Sequence, residues 1–167
     1  MISMNRTLVC ILIINILTIN GATAVQLNKS APEFALPDIE GNALVNLKDY
    51  HGKVVYLDFW ASWCLPCRAS FPLLDQLYQR YREKGLEIVA INLDEDDSSL
   101  NRFKQRYPVS FTLVRDKNAL TPQKYQVEAM PSSFIIDKKG NIRHIHKGFR
   151  KNDIERIEQQ LSMLLNE

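Results

Sequence analysis

The sequence predicts an α/β fold, a central mixed β-sheet flanked by helices, with an N-terminal β-hairpin extension. Three observations carry this. Residues 54–59 (Val-Val-Tyr-Leu-Asp-Phe) and 86–93 are bounded apolar runs rich in β-formers, the form of strands buried on both faces. Between and after them, apolar residues recur at three- and four-residue steps, the period of helices laid on a sheet. The 167 residues, 46% hydrophobic and 24% charged, suit about one globular unit and exclude collagen-like, low-complexity and disordered chains.

Residues 1–24 differ in kind from the rest. Arg6 is their only charge, residues 8–19 are nearly unbroken apolar apart from Asn15, and Ala22-Thr23-Ala24 offers small residues at an A-x-A spacing. This is a secretory signal pattern with cleavage expected after Ala24. The apolar run is well short of the roughly 20 residues that span a bilayer. An uncleaved N-terminal membrane anchor is the alternative, and Val9 before Cys10 argues against a lipoprotein. The expected organisation is a signal peptide at 1–24 and one domain at 25–167, located in the periplasm or otherwise outside the cytoplasm.

Residues 25–53 are rich in turn formers, with Pro32, Pro37, Gly41 and Gly52 separating short strands at 34–36 and 44–47. After the strand at 54–59, Phe71, Leu74, Leu77, Tyr78 and Tyr81 mark an amphipathic helix ending near Gly85. The strand at 86–93 leads to a second helix through Leu100, Phe103 and Tyr107, with Asp97, Ser98 and Ser99 as capping candidates. A short strand follows at 111–114 and a helical turn or two at 120–125. Strands at 132–136 and 142–146 flank Asp137-Lys138-Lys139-Gly140-Asn141, a hairpin turn with Gly available for positive φ. Ile154, Ile157, Leu161, Leu164 and Leu165 form one face of a terminal helix, with Asn152 as its cap.

Twenty-one Lys and Arg against 19 Asp and Glu leave a charge of +2, too weak a field to imply a nucleic-acid partner. A monomer is expected. Three cysteines are too few for a disulfide-stapled mini-domain. Cys10 leaves with the signal, so Cys64 and Cys67 remain as a C-x-x-C pair in an oxidising compartment, where the pair either oxidises clients or is kept reduced by a donor.

That pair directly follows a buried strand and opens a helix. The first thiol then sits among unpaired helix N–H groups, whose partial positive charge favours thiolate. Cys64 is the expected nucleophile: its exposed thiolate attacks a client disulfide, and Cys67 resolves the mixed disulfide by attacking Cys64. A permanent structural disulfide is the bland alternative, but a four-residue loop constrains the unfolded chain little. A zinc site would need about four ligands, with only His51, His144 and His146 to add. Copper is the least implausible metal for two soft thiolates. Leu57 and Ala61 stand seven and three residues before Cys64, where thioredoxin-like peroxidases carry Pro and Thr, so an antioxidant peroxidase is not expected.

The run Leu57-Asp58-Phe59-Trp60-Ala61-Ser62-Trp63-Cys64-Leu65-Pro66-Cys67-Arg68, with Pro72 beyond it, resembles the thioredoxin active-site segment. Ala31-Pro32-x-Phe34-x-Leu36, Gly52-Lys53 and Met130-Pro131-Ser132-Ser133-Phe134-Ile135-Ile136-Asp137-x-x-Gly140 are similar to the TlpA/ResA-like branch of exported thioredoxins. The likeness spans nearly all of residues 31–165 and implies a thioredoxin-like fold and a protein-disulfide oxidoreductase.

On that resemblance, Pro131 matches a cis-proline beside the cysteines that exposes the backbone of Met130 to a client peptide. Asp58 matches a buried acid that exchanges a proton with the resolving thiol; a carboxylate in an apolar strand should hold its proton to higher pH than usual. Thioredoxins proper often pair that acid with a strand lysine, where Ala90 stands here. Glu95 aligns with an acid near the cysteines of ResA-like proteins, although residues 94–97 also read as a solvated acidic loop. Trp63 and Pro66 would shape the surface, Gly148 would line the client groove, and Pro72 would kink the first helix.

The family implies no cofactor beyond the redox-active Cys64–Cys67 disulfide. It further implies client protein thiols or disulfides as partners, a DsbD/CcdA-type transmembrane electron donor, and a reductant's direction in cytochrome c maturation or copper-site assembly. A copper-delivery module on the same cysteines and a general disulfide oxidant are the alternatives.

Overall fold

A computed structural model describes residues 25–167. The expected signal peptide, with Arg6 and Cys10, lies outside the described residues. The strands are β1 (Ala35–Pro37), β2 (Leu44–Asn46), β3 (Val54–Trp60), β4 (Leu86–Asn92), β5 (Thr112–Arg115), β6 (Ser132–Ile136) and β7 (Ile142–Lys147). The helices are α1 (Leu65–Tyr81), α2 (Asp97–Arg106), α3 (Leu120–Lys124) and α4 (Asp153–Leu165). Five strands form one sheet in the order β5-β4-β3-β6-β7, and β1 and β2 pair as a separate hairpin. β3 is parallel to β4 and β4 to β5, whereas β6 is antiparallel to β3 and β7 to β6. This is the thioredoxin-like α/β architecture with an N-terminal hairpin.

The central position of β3 follows from its composition. All seven of its residues are buried, which needs cover on both faces and explains an unbroken apolar run rather than polar alternation. Val54, Tyr56 and Trp60 pack on one side with Phe71 and Leu74 of α1 and Ile157 and Leu161 of α4. Val55, Leu57 and Phe59 face the other way, toward Phe34 and Tyr125. The N-terminal segment is stapled over that second face: the Tyr125 hydroxyl donates to the Pro32 carbonyl at 2.7 Å and Ala31 N–H to Gly140 at 2.9 Å.

Two sequence expectations shift locally, and a third holds in position only. The first strand starts at Ala35 rather than Phe34, whose side chain is buried and whose carbonyl accepts the Leu47 N–H at 3.2 Å. The cap of α2 is Asp96, not Asp97, Ser98 or Ser99. Its backbone is still extended, so its carboxylate folds over to accept the Ser98 and Ser99 N–H groups at 3.1 and 2.8 Å. These bonds hold the Asp96 carboxyl below the usual carboxylate range. Asn152 does occupy the N-cap position of α4, but its backbone is already helical and its side chain makes no capping hydrogen bond among the described residues; the carboxylate of Asp153 takes the Arg150 N–H at 2.7 Å. Helix α1 runs unbroken through Pro72, and Gly85, at φ +98°, turns the chain into β4.

Beneath the start of α1 lies an aromatic cluster. Trp60 stands 4.6 Å from Phe71 and 4.5 Å from Phe103 between ring centres, and Phe71 meets Phe103 edge-on at 5.0 Å. Phe103 is the only one of the three contributed by α2, so its truncation should loosen α2 from α1 and leave a cavity. Phe103→Ala is expected to lower the unfolding free energy by roughly 3–5 kcal/mol in urea titration, with the midpoint moving and the slope unchanged.

Candidate active site

The end of β3 and the start of α1 are joined by Ala61-Ser62-Trp63-Cys64, and polar contacts from two elements hold this turn. The Asp94 carboxylate accepts the Ser62 N–H at 2.9 Å, the Ser62 hydroxyl at 3.1 Å and the Asn92 side-chain amide at 2.9 Å. From the helix side, the Arg68 guanidinium donates to the Ser62 carbonyl through Nε at 3.1 Å and a terminal nitrogen at 2.9 Å. Ser62 and Asp94 are buried, so each of these bonds replaces water that cannot reach the group.

Cys64 is thereby placed as the N-cap of α1, its carbonyl taking the Arg68 N–H at 3.3 Å and its sulfur the Cys67 N–H at 3.2 Å. Pro66 occupies the first turn, where a missing N–H costs nothing. Cys64 and Cys67 form a disulfide with Cα atoms 5.3 Å apart. Cys64 was expected to be exposed; in the disulfide it is 3% exposed, and Cys67 is 0%. Packing of Cys64 under the α1 terminus accounts for the difference, and what exposure the pair has belongs to Cys64. Trp63 and Leu65, 65% and 72% exposed, stand on either side of it.

The same end of the sheet gathers most of the remaining predicted residues. Phe59 pairs with Ser132 and Ser132 with Lys147, so Met130, Pro131 and Gly148 lie just beyond the strand ends, alongside the chain that leads to Cys64. The Met130–Pro131 bond is cis. Gly148 N–H donates to the Pro131 carbonyl at 2.7 Å, and its φ of +79° favours glycine although a Cβ there would meet nothing. Met130 packs against the cluster that contains both cysteines, yet its own N–H and carbonyl take no hydrogen bond among the described residues.

Asp58 is buried on β3, on the α1 face, and its Oδ2 has no hydrogen-bond partner among the described residues. Burial pushes its carboxyl well above the ordinary value, so it tends to hold its proton. Ala90 on β4 pairs directly with it and offers no charge. Glu95 is exposed on the loop after β4, next to Asp94, and its carbonyl accepts the Arg115 guanidinium at 3.2 Å. The acid built into the site from that run is its neighbour Asp94. Strand periodicity carried past Ala90 through Asn92 to Asp94 places both polar residues on the cysteine side, a signal hidden by the acidic composition of the run.

Among the described residues no three His, Cys, Asp or Glu side chains cluster as metal ligands, and no helix is long and apolar enough to cross a membrane. Among the described residues, a cleft of about 550 Å³ lies between the β1–β2 hairpin and the loop after β5 and another of about 640 Å³ lies between Tyr81 and α4; neither is lined by the cysteines.

A scan of family models matches residues 27–145 to the AhpC/TSA family. The chain is 39% identical to the thiol–disulfide oxidoreductase ResA of Geobacillus kaustophilus over 135 residues, 80% of this chain and 77% of that one. It is 41% identical to ResA of Bacillus anthracis over 118 residues, covering 71% and 68% of the two chains. Among solved structures, one from Chlorobium tepidum assigned to the DsbE thiol:disulfide interchange proteins superposes with a TM-score of 0.81 at 44% identity, over 85% of this chain and 99% of that one.

Two outcomes test this geometry. Asp94→Ala strips three buried donors of their acceptor and should cost about 2–3 kcal/mol in chemical denaturation. For Asp58 the sign follows from proton binding: the unfolded carboxyl ionises near about pH 4, while the folded one retains its proton to higher pH, so native stability falls as pH rises across that window. Oxidised Asp58→Asn should therefore be more stable than the native chain at pH 8, by a margin that shrinks toward about pH 4. A pH-independent margin would contradict the assignment.

Proposed function

The chain belongs to the AhpC/TSA family and is a thioredoxin-like thiol–disulfide oxidoreductase grouped with the ResA proteins, and from that premise we propose that it reduces disulfides of exported client proteins. The observation that carries the reading is the Cys64–Cys67 pair at the start of α1, with Cys64 as the cap and Cys67 fully buried behind it.

In the reduced protein Cys64 is the attacking thiolate. The helix terminus contributes about 0.3–1 kcal/mol in its favour. The Cys67 N–H, already aimed at the Cys64 sulfur, adds the roughly 1.5–3 kcal/mol of a hydrogen bond to a charged acceptor. The directed hydrogen bond is thus the larger of the two effects. Cys64 attacks a client sulfur, the S–S bond breaks, and the departing client sulfur leaves as thiolate. Cys67 then attacks Cys64, the ionised form of Asp58 takes the Cys67 proton, and the second client sulfur is released as the Cys64–Cys67 disulfide closes. The N–H and carbonyl of Met130, unpaired among the described residues, pair with the extended client backbone, and Trp63, Pro66, Pro131 and Gly148 form the surface around it.

We place the protein outside the cytoplasm, on the apolar leader of residues 1–24, with a DsbD/CcdA-type donor returning electrons to the pair. A monomer fits a site composed by one chain.

Reduced wild-type protein should reduce insulin disulfides with turnover in dithiothreitol, and Cys67→Ser should stall as a mixed disulfide through Cys64. Trapping of equal yield by Cys64→Ser would overturn the nucleophile assignment. Equilibration with glutathione should give a potential toward the reducing end of the range from about −270 to about −120 mV, and a value at the oxidising end would reverse the direction.

A further inference from the structure

Asp94 holds Ser62, yet Asp94 itself stands on the loop between β4 and α2, and a loop keeps a carboxylate in place only where something ties the loop down. A buried cation ties this one. Arg115 is the last residue of β5 and pairs with Asn92 of β4, which pairs in turn with Trp60 of β3. Directly paired residues on neighbouring strands share a face, so Arg115 lies on the Trp60 side of the sheet, two strands away from the junction that carries Cys64. From there its guanidinium reaches the loop at three points. One terminal nitrogen donates to the Asp94 carbonyl at 2.9 Å and to the Glu95 carbonyl at 3.2 Å, and the other pairs with the Asp97 carboxylate at the start of α2.

Arginine is almost never buried without a reason, and this one is 8% exposed. Its ion pair is a weak source of stability, because the Asp97 side chain is 65% exposed and already has the Lys117 ammonium at 3.1 Å. Its Nε, buried and without a partner among the described residues, is a further cost. What Arg115 alone supplies is the hold on the two carbonyls, neither of which has another donor among the described residues. On the strand side the loop is tied by the Leu93 N–H to the Trp60 carbonyl at 3.0 Å and by the Asp94 N–H to the Asn92 side-chain oxygen at 3.1 Å. On the side that leads to α2, the tie on Asp94 is Arg115.

We propose that Arg115 is a positioning residue for Cys64: it fixes the backbone of Asp94, whose carboxylate fixes Ser62, and so holds the Cys64 sulfur at the helix cap beside the Cys67 N–H. The inference rests on the nucleophile role proposed for Cys64 above. Arg115 acts through Asp94 and Ser62 in series, and every link is a hydrogen bond made inside the fold: Arg115 to the Asp94 carbonyl at 2.9 Å, then the Ser62 N–H and hydroxyl to the Asp94 carboxylate at 2.9 and 3.1 Å. Such bonds weaken steeply with lengthening and misalignment, so a loop released by the loss of Arg115 passes its movement to the Ser62-Trp63-Cys64 turn. A residue that only added stability would change the unfolding free energy and leave the Cys64 thiolate as it is.

The test is the rate of Cys64 alkylation by iodoacetamide in reduced full-length protein from about pH 6 to about pH 9, with urea titration of the same variants. Arg115→Met, of similar length but without donors, should slow alkylation about 5-fold at about pH 7 and move its midpoint toward the free-thiol value of about 8.5. Arg115→Lys keeps the charge without the forked geometry and should fall between the Met variant and the native chain; it carries each comparison if Arg115→Met does not fold. In an Asp94→Ala background the Arg115 substitution should add no further shift, because the route passes through that carboxylate. Tyr125→Phe, which removes the bond to Pro32 on the opposite face of the sheet, should keep the native midpoint whatever stability it loses. A native midpoint in both Arg115 variants, with Cys64 of the native chain reacting ahead of Cys67, would overturn the role of Arg115 alone. Equal reactivity of the two thiols in the native chain would overturn the nucleophile reading and the inference with it. A full shift in the Asp94→Ala background, or a shift in Tyr125→Phe that scales with its lost stability, would overturn the positioning route.

Discussion

Everything reactive in this molecule depends on how Ser62 is held. Asp94 grips its N–H and hydroxyl from the end of β4, and Arg68 grips its carbonyl from the first turns of α1. A strand that must turn at once into a helix exposes three backbone or side-chain groups of one residue to burial, and each has a partner. With Ser62 fixed, Cys64 falls on the cap position and Cys67 on the first inward-facing turn. The redox pair is therefore a consequence of the junction, and the aromatic cluster of Trp60, Phe71 and Phe103 provides the floor on which it rests.

The same region holds the features that stability alone would not select. Asp58 lies in the middle of the most buried strand, and among the described residues one of its oxygens and the indole nitrogen of Trp60 have no hydrogen-bond partner. Burying polar atoms without partners costs about 1–3 kcal/mol each. Ser133 and His146, buried on β6 and β7, add further polar atoms to the same layer. These residues lie on the face that carries Cys67, and a proton acceptor is what a resolving thiol requires. The opposite face of the sheet, over which the N-terminal segment is stapled, is built mainly of Val, Leu, Ile and aromatic residues.

Much of this was legible in the residues. The strand at 54–59, the amphipathic helix from Phe71 onward and the 132–146 hairpin obey simple periodicities because each buries a defined face. The C-x-x-C placement followed from the strand before it and the helix after it. What escaped depends on backbone angles or on partners distant in sequence. Asp96 rather than Asp97 caps α2 because only Asp96 keeps an extended backbone, a choice among adjacent acids that composition does not make. Asp94 was masked by its exposed neighbours, and its partner Ser62 is 32 residues away. The cis bond before Pro131 was suggested only by resemblance, since most X-Pro bonds are trans. The register that pairs Asp58 with Ser133, and Ser133 with His146, is likewise not legible in the residues alone.

The central claim is that the junction makes two chemically similar thiols unequal. Its most direct measurement is the pH dependence of alkylation at each cysteine of the reduced protein, resolved by mass spectrometry of the peptides. Cys64 should react first, with a midpoint below the usual value of about 8.5 for a free thiol, while Cys67 stays unmodified until the fold is lost. Equal reactivity of the two thiols, or earlier modification of Cys67, would contradict the account.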